Sequence, residues 1–172
     1  MRRKKVLLMI SLLFLLGGVL LINFWKKYKI YEKYRYPNED FFGKELYAEI
    51  TYKCSDQERE VGNAILNKAI KVAEHTGTEK NVDETSDVGA LSQYYYYNRK
   101  LPAEYETVFQ EIEFQLITCK VTQDRGHVWV VYTRRMRDED KNLIAGSWDI
   151  LSLWGIEKQN GEWVVVKISE AP

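Results

Sequence analysis

The chain has 172 residues and a formal net charge of zero, with 25 Lys/Arg against 25 Asp/Glu, a length that suits one ordinary domain plus a targeting segment. The zero conceals a split, since residues 1–37 hold nine Lys/Arg and one acid, Glu32, whereas residues 38–172 hold sixteen Lys/Arg and twenty-four acids. An acidic body argues against nucleic acid as a partner, because that affinity depends on neutralised phosphates and released counterions, and its basic cluster Arg134, Arg135 and Arg137 is answered at once by Asp138, Glu139 and Asp140.

Residues 1–25 read as a short cytoplasmic tail and a transmembrane signal anchor. Val6 to Trp25, VLLMISLLFLLGGVLLINFW, carries no charge, and about 20 residues at 1.5 Å each match a bilayer core of roughly 30 Å. MRRKK would also suit the basic region of a cleaved signal peptide, but the apolar run is longer than such peptides use and no small-x-small cleavage site follows it. The run closes on Phe24-Trp25 and Lys26-Lys27, an aromatic belt and a cationic stop. Both flanks are basic; a five-residue, four-charge tail is the common inside end of a signal anchor. A single pass through the cell membrane, with the domain outside the cytoplasm, is therefore expected. Residues 26–37, KKYKIYEKYRYP, form a basic-aromatic juxtamembrane stalk with Tyr28, Tyr31 and Tyr34 at helical spacing and a stop at Pro37. Such a segment adheres to anionic headgroups without specific recognition.

Residues 38–172 are expected to form one α+β domain. GKELYAEITYKC, residues 43–54, alternates Leu46, Ala48, Ile50 and Tyr52, which predicts a short strand or extended arm. Ser55 and Glu58 have capping-box spacing, and Val61, Ala64, Ile65, Ala69, Val72 and Ala73 form one apolar stripe, so a helix is predicted over about 56–76, stopped at Thr76-Gly77. A shorter helix is predicted from Asp87 to Arg99, with Val88, Leu91, Tyr94 and Tyr95 on one face, ending before Leu101-Pro102. From about Thr107 the period becomes two, giving strands at 109–123, 127–137, 143–158 and 162–170. Their connections are DRG, DEDKN and NG, short enough to make an antiparallel meander. The second strand is apolar on both sides, with Val128, Val130 and Tyr132 against Trp129 and Val131. One side can meet the helices; the other needs the N-terminal arm, a partner subunit or a curl of the sheet.

Two helices and a meander whose last strands read WGIEKQ, NG and EWVVVKISE resemble the nuclear-transport-factor-2-like, or cystatin-like, superfamily over about residues 46–170. The pattern is G-x-W-x-V-x-x-I-x-E, carried by Gly161, Trp163, Val165, Ile168 and Glu170. This resemblance implies a curved, cone-like sheet. Members include isomerases and dehydratases, noncatalytic binding domains and anchored extracytoplasmic subunits of type IV secretion machines.

Groups with chemistry are few. Cys54 and Cys119 are the only cysteines, and outside the reducing cytoplasm their pairing is open; the alternative is two unpaired thiols, with Cys119 beside Ile117 and Val121 in an ordinary buried place. His75 and His127 lack metal-ligand spacing, and nucleophile elbows, phosphate loops and dinucleotide fingerprints are absent. No metal or cofactor is expected. QYYYYNRK at 93–100 sends four consecutive tyrosines in different directions, so Tyr94 and Tyr95 are candidates for a ligand rim, with plain amphipathic packing as the alternative. In SWDILSLW, alternation puts Ile144, Trp148, Ile150, Trp154 and Ile156 on one face and Asp149 on the other with Leu151 and Leu153. In the enzymes resembled, cone-lining Asp and Tyr act as bases, which makes Asp149 and Tyr132 the catalytic alternative. Trp129 and Trp148 complete the ligand-binding candidates, since together with Trp154 and Trp163 they give the strands more aromatic surface than a one-sided sheet uses. The leading expectation is a noncatalytic, membrane-anchored, extracytoplasmic binding or assembly module that meets a protein partner or forms a homo-oligomer. The alternatives are a small cone-type enzyme, isomerase- or dehydratase-like, acting on an apolar small molecule, and a subunit of an envelope or conjugative transfer machine.

Overall fold

The computed structural model describes residues 2–35, 37–74, 88–94 and 109–171. The chain divides into two compact units, Met1–Thr51 and Tyr52–Pro172.

In the first unit, α1 (Arg2–Tyr34) is one helix of 33 residues that runs without a break from the apolar segment into the tyrosine-rich stalk. Among the residues described with their side chains, no helix is long and apolar enough to cross a membrane; half of the Val6–Trp25 run, residues 6–14 and 16, lies outside that set. The end of α1 is tied to α2 (Asn38–Phe42). Asn38 Nδ2 donates to the Tyr34 carbonyl at 2.8 Å, while Tyr31 Oη and Arg35 Nε donate to the two oxygens of Glu39 at 2.8 and 2.7 Å. The Arg35 guanidinium, helped by the Tyr31 hydroxyl, holds the Glu39 carboxyl below the usual carboxylate range.

The predicted strand at 43–54 is instead helical, as α3 (Leu46–Ile50). Leu46 and Ile50 satisfy both a two-residue and a four-residue period, and only the latter describes the molecule: both are buried, while Ala48 and Tyr52, which alternation also buries, are exposed.

The second unit begins with the capping box. Ser55 N–H donates to Glu58 Oε2 at 2.8 Å and Glu58 N–H donates back to Ser55 Oγ at 3.3 Å, which opens α4 (Asp56–Glu74). Its stripe buries Ile65, Ala69, Val72 and Ala73 and half-buries Val61, whereas Ala64 faces out. The predicted Thr76-Gly77 stop lies outside the described residues. Of the helix predicted over 87–99, the described part is a 3-10 helix, Gly89–Tyr94, and the remainder, including Tyr95, lies outside the described residues. Gly89 explains the tight start. Its φ is +51°, and a β-carbon there would stand 2.3 Å from the Val165 carbonyl oxygen, so only glycine lets this backbone approach the sheet.

Four strands follow, β1 (Phe109–Thr122), β2 (Arg125–Arg137), β3 (Leu143–Gln159) and β4 (Glu162–Glu170), in antiparallel order β1-β2-β3-β4. The α+β meander expected from the sequence is thus the architecture observed. The Asn160-Gly161 turn has positive φ at both residues, 53° and 90°, the requirement of the tight hairpin that matches strand twist. One sheet face packs against α4 and the 3-10 helix, through Cys119, Val128, Val130, Tyr132, Trp154, Ile156 and Val165. On the other face Trp129, Val131, Leu151 and Val164 are also withdrawn from solvent.

Candidate functional site

Two irregularities in the sheet decide where the polar groups go. In β4, Val165 opposes Ile156 and Lys167 opposes Gly155, which leaves Val166 as an extra residue. This bulge resets the alternation, so the spacing W-x-V-x-x-I-x-E keeps Trp163, Val165, Ile168 and Glu170 on the core face. Glu170 then stands opposite Ser152.

Around it lies a polar cluster on the core face. Tyr94 Oη donates to Glu170 Oε1 at 2.9 Å, and Tyr132 Oη donates to Glu170 Oε2 at 3.1 Å. Trp154 Nε1 donates to Ser152 Oγ at 2.8 Å and to Tyr94 Oη at 3.2 Å. The rings close over these bonds: Tyr94 meets Phe114 edge-on at 5.2 Å and Tyr132 at 5.5 Å. Tyr94 is 1% exposed and Trp154 0%. Burial, reinforced by the Glu170 charge, pushes the Tyr94 hydroxyl above the usual phenol range, so it remains a proton donor at neutral pH. The cluster fastens the last strand to the 3-10 helix and to β2.

The second irregularity is in β3. Tyr132 opposes Ile150 and Arg134 opposes Ser147, so Trp148 and Asp149 both stand opposite Thr133. Asp149 takes φ 53° there, a conformation Asp tolerates better than most residues. The expected face shared by Ile144, Trp148, Ile150, Trp154 and Ile156 is therefore broken: Ile150, Trp154 and Ile156 belong to the core face, Trp148 lies in the bulge, and Ile144 is the extra residue of a second register shift between Leu143 and Ala145. Asp149 is exposed, with its N–H donating to Thr133 Oγ1 at 3.3 Å. Of the sequence-derived candidates, Tyr94 and Tyr132 are brought together, Trp129 is buried on the opposite face, and Trp148 lies 54% exposed over Gly146. The Tyr132 hydroxyl donates to Glu170, and Asp149 stands exposed opposite Thr133. Glu170 and Ser152 were missed as partners. Their signal was the doubled spacer before Ile168, which marks a bulge and hence the inward turn of Glu170.

A separate cleft of about 460 Å³ lies at the start of α4, lined by Gln57, Glu58, Val61, Gln123, Lys158 and Trp163 among others. Glu58 is its anchor. Besides the capping box, it accepts from Tyr52 Oη at 3.1 Å and from the Val121 N–H at 3.2 Å. The Ser55 N–H, followed by the Ser55 hydroxyl, the Val121 N–H and the Tyr52 hydroxyl, holds its carboxyl below the usual range against an opposing contribution from burial. Cys54 and Cys119 are both buried free thiols; burial, then the charge of Cys54, pushes the Cys119 thiol up to about 12. Two arginines of the cluster at the far end of β2 are engaged with acids of β1, Arg135 with Glu113 at 2.6 Å and Arg137 with Glu111 at 3.3 Å. Among the described residues no group of His, Cys, Asp and Glu is arranged to hold a metal. The chain matches no family model, no curated protein and no solved structure.

Proposed function

We propose that the chain is a noncatalytic binding or assembly module, held at the cell membrane by α1 with its sheet unit outside the cytoplasm. One observation carries this reading. Leu15, Val19, Leu20, Leu21, Ile22, Phe24 and Trp25 are all exposed along one unbroken helix, and consecutive helical positions point around the whole circumference. Apolar surface open on every side is costly in water and stable in lipid. In sequence the uncharged apolar run extends back to Val6, giving about 20 residues, enough for a bilayer core of roughly 30 Å.

Binding is favoured over catalysis by how the polar groups are used. Tyr94, Tyr132, Ser152, Trp154 and Glu170 hydrogen-bond to one another under packed aromatic rings, while Asp149 is exposed on β3. The order of helix, 3-10 helix and bulged antiparallel meander supports the cone-like, nuclear-transport-factor-2-like reading of the sheet unit. For a protein partner or a second copy, the exposed large apolar side chains on β3 are Leu143 and Trp148, ahead of the residues Ser152–Gln159 that pair with β4. The experiment is membrane extraction: the full chain should stay with membranes through an alkaline carbonate wash, and a chain beginning at Lys26 should not. Release of the full chain by carbonate would remove the anchor.

A further inference from the structure

The two cysteines are the only thiols in the chain, and the cluster around Glu170 uses neither. The segment leading into α4 runs along β1. Thr118 Oγ1 donates to the Tyr52 carbonyl at 2.9 Å, and the Val121 N–H donates to Glu58 Oε1 at 3.2 Å. Cys54 lies between Tyr52 and Glu58 in that segment, and Cys119 lies between Thr118 and Val121 in the strand, so the two bonds bracket both cysteines. From above, α4 closes on the strand: a β-carbon on Gly62 would stand 3.0 Å from Cys119 Cβ. Cys119 is 0% exposed, while Cys54 keeps 8%.

We propose that Cys54 and Cys119 are a dithiol that closes to an intramolecular disulfide, with Cys54 as the sulfur that exchanges with an external disulfide and Cys119 as the sulfur that resolves it. The Cys54 thiolate attacks one sulfur of a small-molecule or protein disulfide, expels one thiolate and forms a mixed disulfide. Cys119 then attacks Cys54 Sγ, displacing the second thiolate, which takes up the Cys119 proton as it leaves. Two protons and two electrons leave the chain, and one external disulfide becomes two thiols. The order follows from access, because Cys54 is the residue that keeps some solvent contact and Cys119 is fully enclosed. Closure would fasten the first residues of the sheet unit to β1, so that, on the anchored reading, tension arriving from α1 enters the sheet through a covalent bond.

The test uses the purified full chain in detergent, reduced, exposed to oxidised glutathione, quenched in acid and treated with a maleimide-linked polymer. The wild type should take up no polymer after oxidation and two after renewed reduction, and should be lighter by two hydrogens when oxidised. C119S should accumulate one glutathione, and C54S should acquire it about tenfold more slowly. Two polymer adducts on the oxidised wild type would overturn the pairing, and faster glutathionylation of C54S would overturn the order. Should either serine variant fail to fold, the acid-trapped mixed disulfide of the wild type decides: glutathione on Cys54 supports the order and glutathione on Cys119 refutes it. Thiol state in chains taken directly from cells separates this proposal from the membrane orientation. A chain that closes in vitro but is found reduced in cells contradicts the orientation, not the pairing.

Discussion

The hydroxyl of Tyr94 donates to Glu170 Oε1 across 2.9 Å, joining residues 76 positions apart, and Tyr132 occupies the other carboxylate oxygen. Glu170→Ala leaves two buried hydroxyls without their acceptor, which should cost about 1–3 kcal/mol. Glu170→Gln keeps one amide oxygen as acceptor and should cost less. Urea midpoints of the three chains in the same detergent check the ranking.

Tyr94 also sets an alkaline limit. Its folded value is raised, so the stability it contributes is complete below the unfolded phenol value of about 10 and is lost as pH rises towards the folded one. Tyr94→Phe should lower stability at neutral pH, through its lost bonds, yet flatten the loss above about pH 10. Unfolding followed from neutral to alkaline pH reads both.

Glu58 works in the opposite direction. Its folded value is lowered, so its contribution is present above the usual carboxylate range and lost as pH falls through the lowered value. Glu58→Gln should remove part of the acid-side slope of stability while loosening the Ser55 cap and the bond to Val121. Thermal midpoints across the acid range test this, and an unchanged slope would contradict the role given to Glu58.

Gly89→Ala should destabilise by about 2 kcal/mol or more, because alanine pays for the positive φ and its β-carbon meets the Val165 carbonyl oxygen. An alanine chain as stable as the wild type would mean that the 3-10 helix does not lie where β4 receives it.

Trp148 gives the contrasting case. Exposed and outside the core, it should lose less than about 0.5 kcal/mol on replacement by alanine. If β3 carries the partner-binding surface, the same change should weaken self-association or partner capture, since large exposed aromatics dominate such contacts. Sedimentation of wild type and Trp148→Ala in the same detergent separates the two effects.

Much of the sheet was legible because its signals are local. Alternation and turn chemistry placed β4 at 162–170 as observed, and the other strand ends within two residues. Ser55 and Glu58 announced α4 in the same way. Leu46 and Ile50 were misread because two residues four apart fit either period. Alternation failed at Trp148 and Asp149, where the bulge depends on one residue adopting positive φ, a choice that no neighbouring residue type dictates. For the polar cluster, Tyr94 and Tyr132 could be named, but their acceptor could not. Glu170 lies in a strand whose inward side is fixed by the bulge at Val166, and contact with Tyr94 depends on tertiary packing across most of the sheet unit.

Protease added to intact cells bears on the proposed orientation, in which α1 holds the sheet unit outside the cytoplasm. The full-length chain should be lost, with the sheet unit digested or released while cytoplasmic controls survive. Survival of the full-length chain in intact cells, with digestion only after the membrane is opened, would contradict it.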